Sequence, residues 1–526
     1  MERVWRIGRK SVVCFLFGVG VFASFALAQL PTATILGVVK DASGAIVPGA
    51  SLTARNTETG QTRTAASGGD GSYRFSALPV GSYEVRVEQS GFQTALRSGL
   101  MLSVGQEAVV NFTLEVGAIT QTVAVTAEAP LVNTTSGSLG TLVGEQQVSD
   151  LPLNGRNYAD LTLLQPGVVQ HRSSSPAVTF KGALFSANGM PPRSNYFLLD
   201  GAPMGDVFSG ASASSSDSTL GIEGIREWRV VTNSFSAEYG MRMGAQITMV
   251  SKGGTNSFHG SLFEYLRNSA LDARNFFDYP SAAAKPGFRL PPFRRNQYGG
   301  SFGGPIRKDR AFFHATYEGL KERLGLTNIV NVPGAGCRGG AGSVITNVAC
   351  PQLGATVSQA TIAPVVAPLL ALYPVPNLSN DRFTFASTRT TDEQYGQIRG
   401  DYTVSGSDSV FVRFTADRAT VVAPLAFPQF RDDLTSGLTL LTLSDTHIFS
   451  PGMVGTFRGS FSRSVLFANS PSDIAGPQYS FLPGDYFGSM NIGGLTSIGT
   501  TNFNPNHSKL NTFTYSGDLF YTSAHK

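Results

Sequence analysis

Alternating apolar and polar positions dominate the second half of the chain. Over residues 311–318, Ala, Phe, Ala and Tyr alternate with Phe, His, Thr and Glu. Residues 397–404, 410–417, 453–462 and 512–521 alternate in the same way, each with Arg or Asp on its polar face. A period of two predicts β-strands with one apolar face, as a soluble β-sandwich also has. Charges in the middle of the polar faces and aromatic side chains on the apolar faces favour a transmembrane β-barrel with a wet interior.

The connections between these segments fall into short and long classes. Short turns such as 405–408 should face the periplasm, and long loops such as 324–391 should face the outside. About eight or nine strands are expected after residue 255, whereas plugged barrels use about 22. The sequence stops at 524–526 without a terminal aromatic residue. We therefore expect residues 255–526 to form a partial outer-membrane β-barrel that is incomplete at its C-terminus.

The first half of the chain consists of shorter, mixed elements. Residues 31–116 contain short alternating segments separated by turn residues, which predicts a β-sandwich. Within residues 141–254, the pattern predicts short helices over 143–151, 158–164 and 224–228 and strands over 195–201 and 229–232. The first of these strands runs into an Asp-Gly turn. This second unit has the mixed character of a plug domain. A glycine-rich turn at 251–256 should join it to the first barrel strand, because glycine tolerates conformations that other residues avoid.

The extreme N-terminus has the pattern of a secretory leader. Arg3, Arg6, Arg9 and Lys10 precede an apolar run over 11–28. The run ends in Ala-Leu-Ala, which offers small residues for cleavage before residue 29. A membrane anchor is the alternative, because the run is about the minimum length of a spanning helix. We interpret residues 1–28 as a signal peptide, which implies an exported protein of a Gram-negative envelope.

Composition limits the function classes. Only 14% of the residues are charged and the net charge is +4, and no basic run follows residue 10. Nucleic acid is therefore not an expected partner, since its binders concentrate basic residues on one face. The six histidines are scattered, and no carboxylate pair recurs at a spacing suited to acid–base chemistry. The sequence predicts no enzyme, no catalytic residue, no metal site and no cofactor.

Two cysteines lie in the long loop of the predicted barrel. Cys337 and Cys350 belong to an exported segment, where a disulfide is the simplest interpretation. A metal site is the alternative, although no histidine or further cysteine lies nearby to complete a ligand set.

The N-terminal unit resembles a known domain family. Its segments GVVKDASGAIVPGASLTARN, GSYRFSALPVGSYEVRV and GF are similar to the carboxypeptidase regulatory-like domain. That resemblance covers residues 31–116 and implies a transthyretin-like sandwich, which is also grouped with carbohydrate-binding-like folds. It implies a module without catalytic activity.

The plug region and the start of the barrel carry a second resemblance. The motifs LPLNGRNY, TLLQPGV, NYFLLDG, IREWRVVTNSFSAEYG and SKGGTNSFHGSLFEYLRN occur in the order found in the Oar-like group of TonB-dependent outer-membrane receptors. The resemblance implies a mainly β architecture of sandwich, α+β plug and barrel in the outer membrane, with the N-terminal domain in the periplasm. It also implies contact with outer-membrane lipid.

The hinge between the two units, residues 117–140, contains a candidate partner-binding segment. Thr122, Val123, Ala124, Val125, Thr126 and Ala127 resemble a TonB box, through which such receptors hand a strand to a TonB-like periplasmic energy transducer. An extended segment can add to the sheet edge of a partner through main-chain hydrogen bonds. The alternative is that this Val/Thr run is the last strand of the sandwich or the first strand of the plug.

Two functions follow from these expectations. The first is a TonB-dependent receptor that binds an extracellular ligand and imports it by energy-coupled rearrangement of the plug. The second is an outer-membrane surface protein that binds carbohydrate or protein without transport. The sequence does not identify the ligand, and a glycan is one of the open alternatives.

Overall fold

A computed structural model gives the fold of most of the chain. It describes residues 31–117, 122–126, 139–150, 153–170, 185–205, 214–216, 219–233, 242–272, 292–354, 356–472, 474, 476–479, 482, 487–501 and 504–522. The predicted leader over 1–28 and most of the predicted hinge lie outside these residues. Within the described part, no helix is long and apolar enough to cross a membrane.

The N-terminal unit is a sandwich of two β-sheets. Its strands are β1 (Thr32–Asp41), β2 (Ser51–Asn56), β3 (Thr62–Ala66), β4 (Ser72–Pro79), β5 (Gly81–Glu88), β6 (Thr94–Leu102), β7 (Glu107–Val109), β8 (Phe112–Leu114) and β9 (Thr122–Thr126). One sheet contains β4, β1, β7 and β8, and the other has the order β3-β2-β5-β6-β9. The inward side chains of both sheets, such as Ile35, Leu52 and Val85, form one buried core. The expected sandwich is therefore present.

The predicted TonB-box segment lies at the edge of this sandwich. Strand β9 pairs in parallel with β6, from Thr122 opposite Thr94 to Thr126 opposite Ser98. Ala127 lies outside the described residues. Of the two interpretations of the Val/Thr run, the backbone therefore agrees with a last strand of the sandwich.

The plug follows as a small α+β unit. It contains β10 (Leu139–Val143), α1 (Glu145–Asp150), β11 (Val168–Gln170), β12 (Phe185–Ala187), β13 (Tyr196–Leu199), β14 (Ala202–Pro203), β15 (Ile225–Asn233) and β16 (Gln246–Ser251). Short 3-10 helices span Asn154–Arg156, Tyr158–Leu164, Pro192–Ser194 and Ile222–Gly224. The main sheet has the order β10-β15-β16-β13-β14. Buried side chains such as Trp228 and Ile247 fill its core.

One helix prediction in the plug is wrong. We expected a helix over 224–228, but the helical turn ends at Gly224 and β15 begins at Ile225. Buried residues in β15 include Trp228, Val230 and Val231, which pack on the plug core. This tertiary burial favours an extended segment over the short helix.

The remaining strands build a wall and the loops above it. They are β17 (His259–Asn268), β18 (Phe293–Arg307), β19 (Ala311–Asn331), β20 (Val344–Thr346), β21 (Gln359–Thr361), β22 (Arg382–Thr403), β23 (Asp408–Pro424), β24 (Arg431–Ser450), β25 (Met453–Asn469), β26 (Ser489–Met490), β27 (Ile498–Gly499) and β28 (Asn506–Tyr521). Eight of them form one antiparallel sheet in the order β17-β18-β19-β22-β23-β24-β25-β28. The predicted alternation is present, since Val412, Phe414 and Tyr515 are exposed on the outer face whereas Arg413 and Thr415 are buried against the plug.

Three connections at one end of the wall share a hydrophobic core of their own. The β19–β22 connection contributes Tyr373, the β23–β24 connection Phe427 and Phe430, and the β25–β28 connection Phe487 and Ile498. A short helix, α2 (Val366–Ala371), lies in the first of these connections. We call this cluster the loop core. It ties three loops into one folded layer beyond the upper ends of the strands.

Candidate functional site

A buried acidic residue attaches the plug to the wall. Strand β13 ends at Leu199, and Asp200 and Gly201 then make the predicted Asp-Gly turn with φ values of 49° and 78°. Positive φ at both positions is the requirement of a tight hairpin turn. The turn places the Asp200 side chain, which is completely buried, against the inner face of the wall.

The Asp200 carboxylate binds groups of both the plug and the wall. Its Oδ1 accepts a hydrogen bond from the Ser251 backbone N–H at 2.9 Å, and its Oδ2 accepts one from the Ser251 hydroxyl at 2.7 Å. Arg413 of β23 donates through Nε to Oδ2 at 2.6 Å. Arg399 of β22 lies 3.8 Å from Oδ1. One plug carboxylate therefore faces two wall guanidinium groups.

Arg413 is buried to the same extent as Asp200, and each nitrogen of its guanidinium donates a hydrogen bond. Its Nη1 donates to Thr415 at 2.9 Å, and its Nη2 donates to Thr442 at 2.8 Å and to the Leu199 carbonyl at 3.0 Å. Both side chains are 0% exposed. A buried ion pair contributes little net stability, but removing one partner leaves an uncompensated buried charge and costs about 3–5 kcal/mol. Separation of these two side chains would therefore be costly unless both charges regained other partners.

Electrostatics keep Asp200 ionised. Burial alone raises its pKa, but the charges of Arg413 and Arg399 and the hydrogen bonds from Ser251 outweigh burial. The pKa of Asp200 therefore lies below its usual value of about 3.9.

A second attachment lies between the plug and the first wall strands. Arg156 donates to Glu223 of the plug at 2.6 Å and lies 3.6 Å from the buried carboxylate of Glu318 on β19. Its guanidinium also stands 4.0 Å from the ring centre of Phe263 on β17, within range of a cation–π interaction. Glu318 in turn accepts a hydrogen bond from the Gly221 backbone N–H at 2.8 Å.

The upper part of the plug contacts the wall through serines. The Ser215 backbone N–H donates to the Ser436 hydroxyl at 2.7 Å, and the Ser216 hydroxyl donates to Glu393. Leu440 of β24 is fully buried in the plug core. The wall thus contributes to the packing of the plug as well as to its polar contacts.

The N-terminal sandwich closes the opposite end of this assembly. Glu58 accepts two hydrogen bonds from the Arg226 guanidinium of β15, at 2.7 and 2.8 Å. A cavity of about 140 Å³ lies where sandwich, plug and wall meet, and Asp200, Arg399 and Arg458 are among its lining residues. The cavity connects the ionic attachment of the plug with the surface covered by the sandwich.

The turn between plug and wall depends on close approach rather than on left-handed backbone. A Cβ on Gly254 would lie 2.4 Å from the Phe313 carbonyl oxygen, which is closer than any side chain could stand. A Cβ on Gly253 would meet only the end of the Asp401 side chain, at 3.1 Å. Positive φ is not what requires glycine at these two positions. The turn at 251–256 therefore packs its backbone directly on the wall.

The sequence analysis singled out a partner-binding segment and a pair of cysteines, and the structure places them in different parts of the fold. Strand β9 carries residues 122–126 of the partner-binding candidate, and its interaction with a partner stays a prediction. Cys337 and Cys350 are joined by a disulfide in the β19–β22 connection. Within the described ranges, no group of three or more His, Cys, Asp or Glu side chains is arranged to hold a metal ion.

Sequence reasoning did not identify the ionic attachment. It placed Arg399 and Arg413 on polar faces, and it placed Asp200 in a turn after an apolar strand. The available indication was an Asp at the end of the apolar run YFLL together with arginines in the middle of wall strands. Nothing in the pattern stated that these positions meet.

The wall has an apolar outer face and holds a folded plug on its polar face, and the N-terminal β-sandwich contacts the plug. This is the architecture of a plugged outer-membrane β-barrel protein. The family model described as "Outer membrane beta barrel domain" matches residues 250–526, more than half of the chain, and the "Carboxypeptidase regulatory-like domain" matches residues 34–115. The chain belongs to the outer membrane beta barrel domain family. The predicted fold class and outer-membrane location are thereby confirmed.

The chain is also similar to individual proteins and solved structures. The chain is 26% identical over 336 residues to the TonB-dependent transporter Oar of Myxococcus xanthus, which confirms the resemblance found in the motifs. The match covers 62% of this chain and 30% of the length of that relative. Among solved structures, the outer-membrane transporter YddB of Escherichia coli is similar with a TM-score of 0.45 and 13% identity, over 73% of this chain and 45% of that one. The siderophore receptor PirA of Acinetobacter baumannii is similar with a TM-score of 0.41 and 14% identity, over 72% and 45%.

Proposed function

We propose that this protein imports an extracellular ligand across the outer membrane by energy-coupled rearrangement of its plug. The single observation that supports this best is the buried Asp200–Arg413 pair, which joins plug and wall without a covalent bond. An attachment of this kind is closed at rest and can be broken as a unit. We assign residues 1–28 to the leader, 31–116 to the sandwich, 117–140 to the hinge, 141–254 to the plug and 255–526 to the wall, with hinge residues 122–126 added to the sandwich sheet as strand β9.

In this mechanism the two ends of the plug have different tasks. The ligand binds outside, near the loop core and the Ser215–Ser216 segment. A TonB-like transducer in the periplasm binds the segment Thr122–Ala127 and pulls. The plug strands then leave the wall at Asp200, and the ligand passes beside Arg399 and Arg413 toward the periplasm. A glycan, a peptide and a metal chelate are all compatible with the proposal.

A surface-binding protein without transport is the second candidate. The observation that favours it is the loop core, because a preformed outer layer cross-linked by Cys337–Cys350 can bind a partner without any movement of the plug. A fixed binding surface loses little conformational entropy on binding.

Deletion of the candidate box separates the two functions. A full-length protein and a variant lacking Thr122–Ala127 would be compared in cells exposed to fluorescent panels of glycans, peptides and metal chelates. Import predicts that the deletion abolishes accumulation inside the outer membrane while binding at the surface continues. Binding of the purified periplasmic domain of the transducer should be lost in the same variant.

A scrambled segment of equal length at 122–127 serves as the matched control for hinge length. Accumulation that survives both changes would sink the energised mechanism and leave surface binding. Accumulation lost only in the deletion would show that hinge length, rather than partner binding, was affected.

A further inference from the structure

The β6–β7 turn of the sandwich forms hydrogen bonds with one plug strand. In this turn the Val104 backbone N–H donates to Glu227 at 2.8 Å, and the Val104 carbonyl accepts from Arg229 at 2.8 Å. Both plug side chains belong to β15. Gly105, the next residue, has a φ of 64°, and a Cβ on it would lie 1.9 Å from the Arg229 guanidinium, so another residue here would be strained and would displace Arg229. Two side chains of one strand therefore hold both polar groups of one turn residue.

Other contacts reinforce this grip on the same strand. The Glu58–Arg226 pair joins the β2–β3 turn to β15 through two charge-assisted hydrogen bonds. Val80 and Val104 of the sandwich form a buried apolar cluster with Val250 of β16. We call the contacts of Glu58, Val80 and Val104 with the plug the clamp. The clamp holds the sandwich to the central strands of the plug sheet.

The candidate box is connected to the clamp by a single strand. Strand β9 pairs with residues 94–98 of β6. The register of β6 against β5 then shifts between Arg97 and Leu100, where Gly99 has a φ of 79°, and β6 ends at Leu102, just before the clamped turn. The chain from Ser98 to Val104 spans at most about 20 Å. A load applied along β9 therefore reaches β15 through the β9–β6 ladder, the end of β6 and the clamped turn.

The covalent path from the box to the plug is longer. It runs through residues 127–138 to β10, which pairs with the same strand β15. Those 12 residues can extend to about 40 Å. The clamp is in contact at rest, so a load on β9 reaches β15 through it without any extension of that segment. The parallel β9–β6 ladder is also loaded along its length, so that its hydrogen bonds share the load.

We propose that the N-terminal sandwich transmits force: a pull on residues 122–126 reaches plug strand β15 through β6 and the clamp before the covalent hinge becomes taut. This proposal rests on the proposed function, because it assumes that a partner pulls on the box. It gives the carboxypeptidase regulatory-like domain a mechanical task in place of ligand binding. The first plug strand to move is β15, beside the Asp200 attachment on β16 and β13.

Single-molecule pulling tests the force path without any partner or solute. The exported chain, without the leader and its Cys14, would be held in a supported bilayer and pulled from its periplasmic side through a DNA handle on Thr122→Cys. A handle on Ser136→Cys is the matched control, because it loads the hinge beyond the sandwich. The clamp would be broken by Arg226→Gln together with Arg229→Gln.

The expected results differ between the two handles. With the Thr122 handle, breaking the clamp should add a low-force step of up to about 40 Å before the plug unfolds. With the Ser136 handle, the same substitutions should change neither the step pattern nor the force at which the plug unfolds. An unchanged trace with the Thr122 handle would overturn the proposal.

An engineered disulfide gives a second readout that does not depend on weakening the clamp. A Cβ on Gly60 would lie 3.4 Å from the Asp309 Cβ, so Gly60→Cys with Asp309→Cys can join the sandwich to a turn of the wall. Oxidation should remove the plug-unfolding step for the Thr122 handle only, and reductant should restore it. Plug unfolding that persists with the disulfide closed would refute transmission through the sandwich. Failure of either pulling test leaves the box-deletion test of import unaffected.

Discussion

Replacement of Asp200 by Asn should loosen the plug without disturbing the wall. The substitution keeps the size of the side chain and an oxygen acceptor for Ser251, but it removes the counter-charge of Arg413. Arg413 is 0% exposed and keeps only neutral partners, namely Thr415, Thr442 and the Leu199 carbonyl. The buried guanidinium is then left without an anion at hydrogen-bond distance in the plug.

The magnitude follows from that uncompensated charge. Removing one partner of a buried ion pair costs about 3–5 kcal/mol. At about 1.4 kcal/mol for each factor of ten, the equilibrium for plug opening should shift by roughly 140- to 3,700-fold. The remaining neutral hydrogen bonds of Arg413 place the expected effect in the lower half of this range.

Amide hydrogen exchange of β13 and β16 measures this opening in the full chain in lipid nanodiscs. The matched control is Asp401→Asn, because Asp401 pairs with Arg399 at 2.8 Å but has a side chain that is 25% exposed. Such a partly solvated pair contributes less, so its exchange should rise less than tenfold. Equal rates in the two variants would refute the reasoning. The double variant Asp200→Asn with Arg413→Gln should recover part of the protection, since the guanidinium left without its anion is removed while Arg399 keeps Asp401 as its partner.

Further predictions concern the turn between plug and wall, the β19–β22 loop and the sandwich. Gly254→Ala should destabilise the plug–wall turn by about 1–3 kcal/mol through its clash at 2.4 Å, while Gly253→Ala should change plug exchange little; equal effects would contradict the packing argument. Cys337→Ser should lower the free energy of unfolding of the β19–β22 loop by about 3 kcal/mol and speed its proteolysis. An unchanged rate of cleavage would count against a structural disulfide. Burial raises the pKa of Glu227, and although burial also opposes ionisation of Glu58, its Arg226 pair lowers that pKa. The rate of Gly60→Cys/Asp309→Cys cross-linking measures how strongly the sandwich docks. Docking should therefore strengthen as pH falls through the raised pKa of Glu227, and it should weaken as Glu58 becomes protonated. Glu227→Gln should remove the strengthening of docking at falling pH, and Glu58→Gln should remove the weakening. A pH dependence of docking that neither substitution changes would contradict the roles given to these two residues.

The wall was predictable because its two faces meet different solvents. Along β19 and β23 the alternation of the sequence fixes which side chains face outward, and Phe313 and Arg413 lie on the predicted faces. A shift of one residue would expose every polar face to lipid, so a single pattern is allowed. The turn at 405–408 and the Asp-Gly turn at 200–201 were predictable for a similar local reason.

The connections between units were not predictable from local pattern. A Val/Thr run such as 122–126 fits a free segment, a sandwich strand or a plug strand equally well, and only its pairing with β6 decides. The strand at Ile225 was mistaken for a helix for the same reason, since burial around Trp228 decided its conformation. The meeting of Asp200 with Arg413 joins positions 213 residues apart in the chain. Periodicity reports the faces of one element and carries no information about such distant partners.

The loop core has a practical consequence for anyone who wishes to change what the outer surface recognises. Tyr373, Phe427 and Phe487 come from three different connections, and each supports the other two. The carboxylate of Asp432 adds a polar joint, because it binds Thr501 and Asn504 of a neighbouring connection at 2.7 and 3.0 Å. A loop transplanted singly from another outer-membrane protein would leave cavities and unpaired groups in its neighbours. The outer layer is therefore a single exchangeable unit, and variation in its surface has to be introduced on the exposed side of all three loops together.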